Sequence, residues 1–536
     1  MEDNNSSFLD KNTLFAVGLS VLFFVGWQQY IQNKYPGVNE TNKTQLSTEA
    51  TPTQNTNEQD PLRSREDSKV ETALIDVSKT TEEKEAQFFE VKFDHYEATL
   101  STVGMGLASV QLKNYTDRDD NKIIFDGAAS QAGTLATFYK ERPLSFKIQK
   151  EAPNIFVGTA TAGDQTITKR LVFNENNYTV EVSLRTQSGK PQNDEVFETL
   201  LVNKIIKSES SMLMPAYEGT EFFVMHDETD SRERLDSDTS MSEKYKKTSL
   251  ISVGSQYFAV AIRDESQTIP DSRVQFQSGE SYAYGWLTHS AKTDGTQTDI
   301  KMTAFLGPKK YDLLNGIHGD FALMINYGIF SVLSRPMLSM LKWLYSLFHN
   351  WGLAIILLTV LIRMILLPIN LSSLKSMKKM QRIQPQLKAI KEKFKEDPQR
   401  MNQETMALMK REKANPIGGC LPMLLQLPVF FALYSVLGQS VELYKSPFIF
   451  WIQDLSYKDP FFVLPIAVGG LYFIQMSITP QPMDPAQAKV MKFIPIVFSF
   501  FMIAVPSGLT LYFFVNTVFG IGQQFIFQRE KRKAAA

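Results

Sequence analysis

The chain has 536 residues, enough for several domains, and its formal net charge is −1. This balance does not favour a nucleic-acid-binding protein, and the single cysteine, Cys420, excludes an intrachain disulfide. The sequence contains no Walker loop, GxGxxG, CxxC or HExxH motif, and its five histidines are scattered. We therefore expect no cofactor, no metal site and no enzymatic activity.

The N-terminal region predicts a membrane anchor followed by a linker. Residues 14–31, "LFAVGLSVLFFVGWQQYI", narrowly reach the ~20 apolar residues that a spanning helix needs. No small-x-small cleavage site follows, which favours an uncleaved anchor over a signal peptide. We assign residues 1–32 to a cytoplasmic flank and this anchor. Residues 33–85 are rich in Thr, Asn, Gln, Glu and Ser and predict a flexible polar linker.

Residues 86–319 resemble a soluble domain built from strands. Runs such as "FFEVKFDHYEATLS" and "ITKRLVFNENNYTVEVSLRT" alternate with period two, and turn signals such as "NENN" and "RDDN" interrupt them. This pattern predicts an all-β sandwich. No catalytic cluster is evident, since acids such as Asp227, Glu228 and Asp230 are typical of a solvated loop.

Residues 320–350 predict an amphipathic helix on the membrane surface. The stretch 327–348, "YGIFSVLSRPMLSMLKWLYSLF", is long enough to span, but Arg335, Pro336 and Lys342 interrupt it. The polar positions fall largely on one side, which favours a helix in the interface. An aromatic belt at the outer membrane boundary is expected to contain four tryptophans: Trp27, Trp343, Trp351 and Trp451.

The last 190 or so residues, dominated by Leu, Ile, Phe, Met and Pro, predict a bundle of five core transmembrane helices. We assign these helices to residues 351–371, 418–437, 461–479, 493–507 and 508–527. The fourth of these core helices, 493–507, is unusually short. Fewer than 15 residues separate Lys492 from Pro506, which gives about 20 Å of helix against a hydrocarbon core of ~30 Å.

The distribution of lysine and arginine predicts the orientation of these helices. The loop 372–417 has twelve basic residues against five acids, and the tail 528–536 has four basic residues against one acid. The loop 438–460 has only Lys445 and Lys458. Loops 372–417 and 480–492, the tail and the N-terminus are therefore expected in the cytoplasm, and residues 33–350 and 438–460 outside it.

The cytoplasmic loop predicts a helical hairpin, 372–395 and 399–414, with "KEDPQR" as its turn. Apolar residues recur three or four positions apart along both helices, and they include Met377, Met380, Ile383, Leu387, Ile390, Met401, Met406 and Met409. Two interpretations stay open. The hairpin is an ordinary antiparallel pair with a basic solvated face, or its methionines form a flexible docking surface for apolar partners.

A single arginine stands inside the apolar run "LLTVLIRMILLPIN". Arg363 lies about 10 Å below the cytoplasmic end of its helix by helical rise, which is far for a side chain that snorkels unaided. Three polar residues stand within neighbouring spans: Gln426, Gln475 and Asn516. No intramembrane acid can pair with Arg363, which argues against a proton relay. The pattern predicts a wet, positively charged recess that faces the cytoplasm.

Five segments carry a resemblance to a known family. "NWGLAIILLTVLIRMILLPI", "ANPIGGCLPMLLQLPVFFALYSVL", "DPFFVLPIAVGGLYFIQMS", "MDPAQAKVMKFIP" and "VPSGLTLYFFVN" resemble the YidC membrane-protein insertases, in order, over about residues 320–530. The anchor and large outer β domain resemble the Gram-negative bacterial form, in which residues 33–350 are periplasmic. The resemblance implies a galactose-mutarotase-like β-supersandwich for that domain and marks it as accessory.

The resemblance also implies a function. The chain is expected to insert nascent proteins into the bacterial inner membrane and act as their chaperone, alone or with the Sec translocon, and to contact the accessory subunits SecDF. The family's groove arginine matches Arg363, and Thr359 and Tyr512 match positions implicated in substrate contact. Phe513 stands where relatives can carry tyrosine. The short tail "QREKRKAAA" implies only weak ribosome binding.

Two alternative functions belong to other classes. A transporter or lipid flippase needs a pathway open alternately to both sides, and no inverted hydropathy repeat is evident. A membrane-anchored carbohydrate-active protein needs convergent histidines and carboxylates in the β domain.

The polar residues of the spans and the resemblance together give the expected substrate-binding groove. It comprises Arg363, Thr359, Gln426, Gln475, Asn516 and Tyr512.

Overall fold

The computed structural model describes residues 86–127, 132–188, 195–206, 219–235, 240–291, 297–412, 414, 416–479 and 494–535. The predicted anchor (1–32), linker (33–85) and loop 480–492 lie outside these residues. The chain divides into two compact units, one of which ends at Gly307 while the other begins at Pro308; the short segment Gln256–Phe258 groups with the second unit. The second unit thus begins earlier than the predicted domain boundary at 319.

The first unit is built from three sheets, whose strands are numbered in chain order. The smallest has the order β1-β2-β3-β4, with strands Phe88–Lys92, Tyr96–Ser101, Leu107–Thr116 and Lys122–Asp126. A six-stranded sheet has the order β14-β17-β18-β11-β5-β6, with strands Met241–Tyr245, Asp271–Phe276, Tyr282–Ala291, Glu195–Lys204, Thr137–Tyr139 and Arg142–Pro143.

The largest sheet has nine strands in the order β13-β12-β15-β16-β19-β10-β9-β8-β7. In that order they are Thr229–Leu235, Thr220–His226, Thr248–Gly254, Phe258–Asp264, Gln297–Pro308, Thr179–Ser188, Gln165–Asn174, Ile155–Ala162 and Lys147–Ala152. Strand β15 packs against β11 and β18 of the six-stranded sheet. Gly285 on β18 permits this approach, because a Cβ there would lie 2.6 Å from Ile251 Cδ1. The predicted β-rich domain is thus confirmed.

Strand β9 shows how alternation builds the core of this unit. Its residues point alternately inward and outward, and Ile167, Leu171 and Phe173 on the inner face are at most 1% exposed. The strand pairs antiparallel with β10 over ten residues, from Thr179 opposite Asn174 to Ser188 opposite Gln165. The sequence pattern "ITKRLVFN" therefore has its expected structure.

The second unit is helical. In chain order its helices α1 to α9 are Tyr311–Ile317, Gly319–Ala322, Ser331–Phe348, Trp351–Lys393, Pro398–Arg411, Pro416–Gln439, Val463–Ile478, Ile494–Met502 and Ser507–Ala535. Within the described residues, Trp351–Lys393 and Ser507–Ile526 are long and apolar enough to cross a membrane, while Val463–Ile478 is apolar but shorter. The helical C-terminal region follows the prediction in outline.

The interfacial segment differs from the predicted single helix over 320–350. Helices α1 and α2 precede a short 3₁₀ turn at Gly328–Phe330, and only α3 is a long helix. One face of α3 is buried, with Ser334, Leu338, Leu341 and Leu344 three or four residues apart. The predicted aromatic belt also needs a correction: Trp343 is 56% exposed, but Trp351 is buried and stacks on Tyr345 at 4.0 Å.

The sequence predicted a transmembrane helix at 351–371 and a separate hairpin helix at 372–395, but both segments belong to one helix, α4. It runs unbroken from Trp351 to Lys393 and contains Pro368 and Pro385. The prediction placed the boundary where apolar residues give way to basic ones. That change marks a change of solvent, and it does not end a helix whose backbone hydrogen bonds are satisfied internally.

Helices α4 and α5 form the predicted hairpin around a small closed core. Met380 and Ile383 on α4 pack with Leu408 on α5, and all three are buried. Asp397 caps α5 by accepting a hydrogen bond from the Arg400 backbone N–H at 3.0 Å. Met380 thus serves as packing, as an ordinary hairpin requires, while Met406 is 61% exposed.

Candidate functional site

Polar side chains from three helices of the second unit meet in one cluster. Arg363 on α4 donates from Nε to Asn516 Oδ1 on α9 at 2.5 Å. Gln426 on α6 donates from Nε2 to the Tyr512 hydroxyl and lies 3.5 Å from Asn516 Oδ1. These four residues are called the polar cluster below. Sequence reasoning selected all four, and the structure brings them together.

Helix α9 supplies two members of the polar cluster through its periodicity. Tyr512 and Asn516 are four residues apart, so they lie on the same face one turn from each other. Both are buried, at 1% and 6% exposed. Phe513 packs beside them, with its ring 5.4 Å from that of Phe430. An apolar wall formed by Phe513 and Phe430 therefore flanks the cluster on this side.

Gln475 on α7 reaches the same region from another side. A Cβ at Gly520 would lie 2.8 Å from Gln475 Nε2 and 4.0 Å from Arg363 Nη2. Gly520 is two turns beyond Tyr512 on the same face of α9. Its missing side chain therefore leaves the space in which the amide of Gln475 and the guanidinium of Arg363 approach each other. Sequence reasoning missed Gly520.

Thr359 lies one turn before Arg363 but has a different environment. It is 1% exposed, and its hydroxyl donates to the Ile355 carbonyl oxygen at 2.7 Å. This bond back to its own helix uses the hydroxyl hydrogen, so the side chain has only acceptor capacity left. Thr359 is therefore close to Arg363 in the sequence, but none of the described hydrogen bonds joins it to the polar cluster.

A second polar layer continues along α9 beyond Gly520. Gln524 donates from Nε2 to the Ile478 carbonyl oxygen at 2.9 Å and accepts from the Thr479 hydroxyl at 3.1 Å. Gln523 Nε2 is buried without a partner among the described residues. The signal was present in the sequence, because Tyr512, Asn516, Gly520 and Gln524 recur every four residues. This stripe covers about 18 Å of helix.

Arg363 is half-buried, and none of the ion pairs among the described residues includes it. Its partner Asn516 is a neutral amide, so the hydrogen bond does not neutralise the guanidinium. The positive charge thus remains available to an approaching anion. Tyr472 on α7 also lies within electrostatic range of Arg363, and sequence reasoning did not select it.

Apolar side chains on α6 and α8 face away from the fold. Leu427 and Phe431 on α6 are each 43% exposed, and Ile496 and Val497 on α8 are 64% and 68% exposed. Helix α8 is only nine residues long within the described residues, or about 14 Å by helical rise. A Ser499 hydroxyl bond to the Pro465 carbonyl oxygen, 2.8 Å long, fixes α8 against α7.

The β unit holds its buried polar groups differently. Lys169 is fully buried, and Nζ contacts the Gly104 carbonyl oxygen and Thr137 Oγ1, both at 3.0 Å, and the Leu135 carbonyl oxygen. Burial lowers the pKa of Lys169 to about 7. The amine donates to all three oxygens, so these contacts supply acceptors without a compensating negative charge.

One histidine–carboxylate pair in the β unit bears on the alternative of a carbohydrate-active protein. His289 Nε2 lies 2.8 Å from Asp264 Oδ1, and both side chains are 2% exposed. No substrate reaches a pair enclosed in this way. Within the described residues, no group of three histidine, cysteine or acidic side chains could hold a metal ion.

Comparison with known proteins agrees with this architecture. The family model described as "60Kd inner membrane protein" matches residues 343–534, and the model "YidC periplasmic domain" matches residues 89–340. A membrane protein insertase YidC from Marinobacter nauticus is 34% identical over 482 residues, 83% of each chain. One from Campylobacter jejuni is 30% identical over 548 residues, 99% of this chain and 98% of the relative.

A solved structure, "Active YidC insertase crystal structure with the first transmembrane domain resolved", aligns with 82% of this chain and 92% of its own. Its sequence identity is 20% and its TM-score 0.37. These matches define the class of the protein: an inner-membrane protein with a β domain followed by a helical membrane unit. This chain belongs to the YidC family of membrane protein insertases. It thus acts on nascent membrane proteins in the bilayer.

Proposed function

We propose that this chain passes the polar outer segment of a nascent membrane protein through a hydrophilic groove open to the cytoplasm. The observation that supports the proposal is the polar cluster itself. Arg363, Gln426, Tyr512 and Asn516 meet on helices that are otherwise apolar. Polar groups among apolar membrane helices are costly to bury, and those that are present typically mark functional sites. Their placement beside Gln475 and Gly520 extends the same polar surface.

Five core transmembrane helices form the groove in this proposal: α4, α6, α7, α8 and α9. An N-terminal anchor at residues 1–32 adds a sixth span. The twelve basic residues of 372–417 support a cytoplasmic hairpin, and the two lysines of the loop 438–460 support a periplasmic position for that loop. Both termini are then cytoplasmic, and residues 33–350 are periplasmic, where the β domain has the proposed β-supersandwich fold.

The charge of Arg363 attracts acidic residues of the outer segment. An acid that leaves bulk water loses hydration, and a nearby cation with an unneutralised charge offsets part of that loss. Neutral amides hold the guanidinium in position without cancelling its field. Gln426, Gln475 and Asn516 also offer donors and acceptors to the substrate backbone, and Tyr512 adds a hydroxyl. Thr359 contributes an acceptor oxygen.

Short helices lower the remaining barrier. Helix α8 provides about 14 Å and α7 about 24 Å of helix, against a hydrocarbon core of ~30 Å. A bilayer that meets short helices thins locally. The outer segment therefore has less hydrocarbon to cross once it has entered the groove.

The substrate's apolar segment follows a separate route. Exposed apolar side chains on α6 and α8, such as Phe431 and Val497, form a surface along which this segment slides into lipid. Burial of apolar area contributes roughly 25 cal/mol per Å², and the membrane potential acts on the charged outer segment. No bond is made or broken, so the process needs no catalytic residue and no cofactor.

The partners in this proposal follow from the same arrangement. The chain acts alone on substrates with few spans, and beside the Sec translocon, with SecDF at the periplasmic domain, on longer ones. A ribosome contact through the short tail at 528–536 is weak. A transporter or lipid flippase is the alternative, and it does not require contact with nascent chains.

Site-specific photocrosslinking during synthesis of a short membrane protein tests the proposal. A photoreactive residue at Gln475 reports on the groove, and one at Val497 reports on the apolar surface. Ile466, on the same helix as Gln475 but 66% exposed, is the matched control. We expect Gln475 to crosslink the polar segment at intermediate chain lengths, and Val497 to crosslink the apolar segment. Gln475 crosslinks no stronger than those from Ile466 would contradict a groove.

A further inference from the structure

The segment between α6 and α7, residues 440–462, is held rigidly by one buried aspartate, Asp459. Asp459 is 0% exposed, and its carboxylate accepts hydrogen bonds from Trp451 Nε1 at 3.0 Å, the Phe461 N–H at 3.1 Å and the Leu464 N–H at 2.7 Å. A carboxylate with three donors fixes the backbone on both sides of it. This segment, called the outer loop below, therefore has one defined conformation.

The outer loop is also tied to the start of α9. Ser507 donates from its backbone N–H and from its hydroxyl to the Tyr457 carbonyl oxygen, each at 2.7 Å. The Gly508 N–H donates to the Leu455 carbonyl oxygen at 2.8 Å. The loop thus moves together with the helix that carries Tyr512 and Asn516.

Despite this rigidity, the outer loop displays aromatic side chains that pack against little of the fold. Phe450 is 77% exposed, Phe461 is 66% exposed and Phe462 is 40% exposed, and Ile449 beside them is 47% exposed. Phe450 and Phe462 have positive φ angles of 53° and 57°. Left-handed backbone is unfavourable for bulky residues, and such strain is typically retained at functional positions.

The exposed apolar surface continues from the loop onto α7. Ile466 and Phe473 on α7 are 66% and 52% exposed, so an apolar row extends from Phe461 along the helix. Helix α7 has 16 residues, about 24 Å, and alone it is shorter than a hydrocarbon core of ~30 Å. The aromatic loop residues extend this apolar surface beyond the helix end. Lys458, exposed beside Tyr457, adds a positive charge suited to lipid phosphates.

We propose that the aromatic tip, Ile449, Phe450, Phe461 and Phe462, inserts into the hydrocarbon of the outer leaflet and fixes the depth of α7 and α9 in the bilayer. The partner is a lipid surface, because the apolar row is continuous with a membrane helix and a cation flanks it. This inference rests on the proposed membrane topology. The inserted aromatic tip gives the short helices a fixed depth, so that the bilayer thins around them and the helices do not move toward one leaflet.

Fluorescence quenching in liposomes measures this depth. Cys420→Ser removes the native thiol, and Phe450→Cys then carries an environment-sensitive nitrobenzoxadiazole probe. Asp164→Cys, an exposed position in a β-strand turn, is the aqueous reference, and Phe473→Cys on α7 is the membrane reference. The full chain is reconstituted in phosphatidylethanolamine and phosphatidylglycerol. Lipids with a doxyl group at acyl carbon 5 or 12 quench from within, and iodide quenches from water.

We expect the probe at Phe450 to be protected from iodide and quenched more by doxyl at carbon 5 than at carbon 12. Iodide quenching as efficient as at Asp164, with no doxyl quenching, would overturn the proposal. Protection that arises only after a partner protein is added would also overturn it and assign the tip to a protein interface. A second measurement uses Phe450→Ser with Phe461→Ser, which should shift the depth reported at Phe473. These measurements need no substrate, so a failed groove would leave them unchanged.

Discussion

Lys169 in the β unit and Arg363 in the helical unit are both basic side chains removed from bulk water, and their surroundings differ. Lys169 is fully buried and contacts one hydroxyl and two backbone carbonyls, which belong to the fixed main chain. Arg363 is half-buried, and the amide of Asn516 that holds it belongs to a side chain with rotamers of its own. A closed site of the first kind serves stability, while an open site of the second kind can exchange its partner for a substrate.

The largest expected effect comes from closing the open site. In Gly520→Leu, the added side chain begins 2.8 Å from Gln475 Nε2 and fills the space next to Arg363. We expect most insertion to be lost for every substrate, whatever the charge of its outer segment. Protease protection of the inserted substrate measures this loss.

Gly522→Leu is the matched control for that variant. It lies on the same helix, and no heavy atom lies within 4 Å of its added Cβ. Both substitutions raise helix propensity similarly. If both variants insert substrate equally well at equal protein levels, the space at Gly520 has no role in the groove.

The hairpin of α4 and α5 has a closed core like that of the β unit, so it should respond to backbone disruption more than to surface charge. Ile390→Pro or Leu408→Pro each disrupts a helix interior at a cost of ~3 kcal/mol. The exposed charge reversal Lys388→Glu costs under ~1 kcal/mol. Insertion assays with limited proteolysis of the hairpin should show loss only for the prolines. Equal tolerance would mean that the hairpin is merely a tether.

A smaller effect is expected on the stability of the β unit, where the closed site of Lys169 should make the free energy of unfolding depend on pH. Folded Lys169 releases its proton at about pH 7, whereas the unfolded chain holds it up to pH 10.5, so the unfolded state binds more protons between these values. The free energy of unfolding of the β unit should therefore rise with pH, by about 2 kcal/mol from pH 7 to 9. Lys169→Met removes the titrating group and should remove this rise.

Urea unfolding followed by the fluorescence of Trp286, with the other four tryptophans replaced by phenylalanine, measures that difference. Trp286 lies in the core of the β unit, beside Phe138 and Leu200. If the free energy of unfolding changes with pH in the same way in the native chain and in Lys169→Met, the lysine stays charged in the fold.

The smallest effect is expected from deletion in the β domain. Because the residues of the polar cluster all belong to the helical unit, a deletion within residues 90–310 that keeps the anchor and 320–350 should leave insertion of a simple substrate largely intact. The assay is insertion at matched protein levels. Abolished insertion by a stably expressed deletion variant would show that the β domain takes part in the core activity.

Alternation and hydropathy were sufficient to predict the β-rich domain and the helical C-terminal region, because both are properties of single elements. They could not predict Lys169, whose burial on the inner face of β9 depends on the carbonyls of Gly104 and Leu135, in turns far away in the sequence. They also placed a helix boundary inside α4 at residue 371, since composition reports the surrounding solvent and does not report where backbone hydrogen bonding ends. Trp351 was assigned to an aromatic belt at the outer membrane boundary, and hydropathy could not predict that its ring packs on Tyr345.

The residues of the candidate groove could be predicted in part. Arg363, Gln426, Gln475 and Asn516 stand out as polar residues in apolar runs, and family resemblance added Thr359 and Tyr512. The bond between Arg363 and Asn516 could not be predicted, because it depends on how α4 packs against α9. Gly520 and Gln524 were missed although they continue the four-residue spacing of Tyr512 and Asn516. A glycine gives no polar signal, and Gln524 lies close to the end of the predicted span 508–527.

The central claim is that Arg363 acts through its charge on the substrate, and a matched substrate series tests it most directly. The substrates differ only in an acidic, neutral or basic outer segment, and Arg363, Arg363→Lys and Arg363→Ala are compared by protease protection with each variant quantified. Lysine can also donate to Asn516, so Arg363→Lys should retain most activity. Arg363→Ala should lose about tenfold, or ~1.4 kcal/mol, for the acidic substrate and less for the others. Loss that is equal for all three substrates, in a normally folded Arg363→Ala protein, would contradict the account, as would failure of lysine as complete as that of alanine.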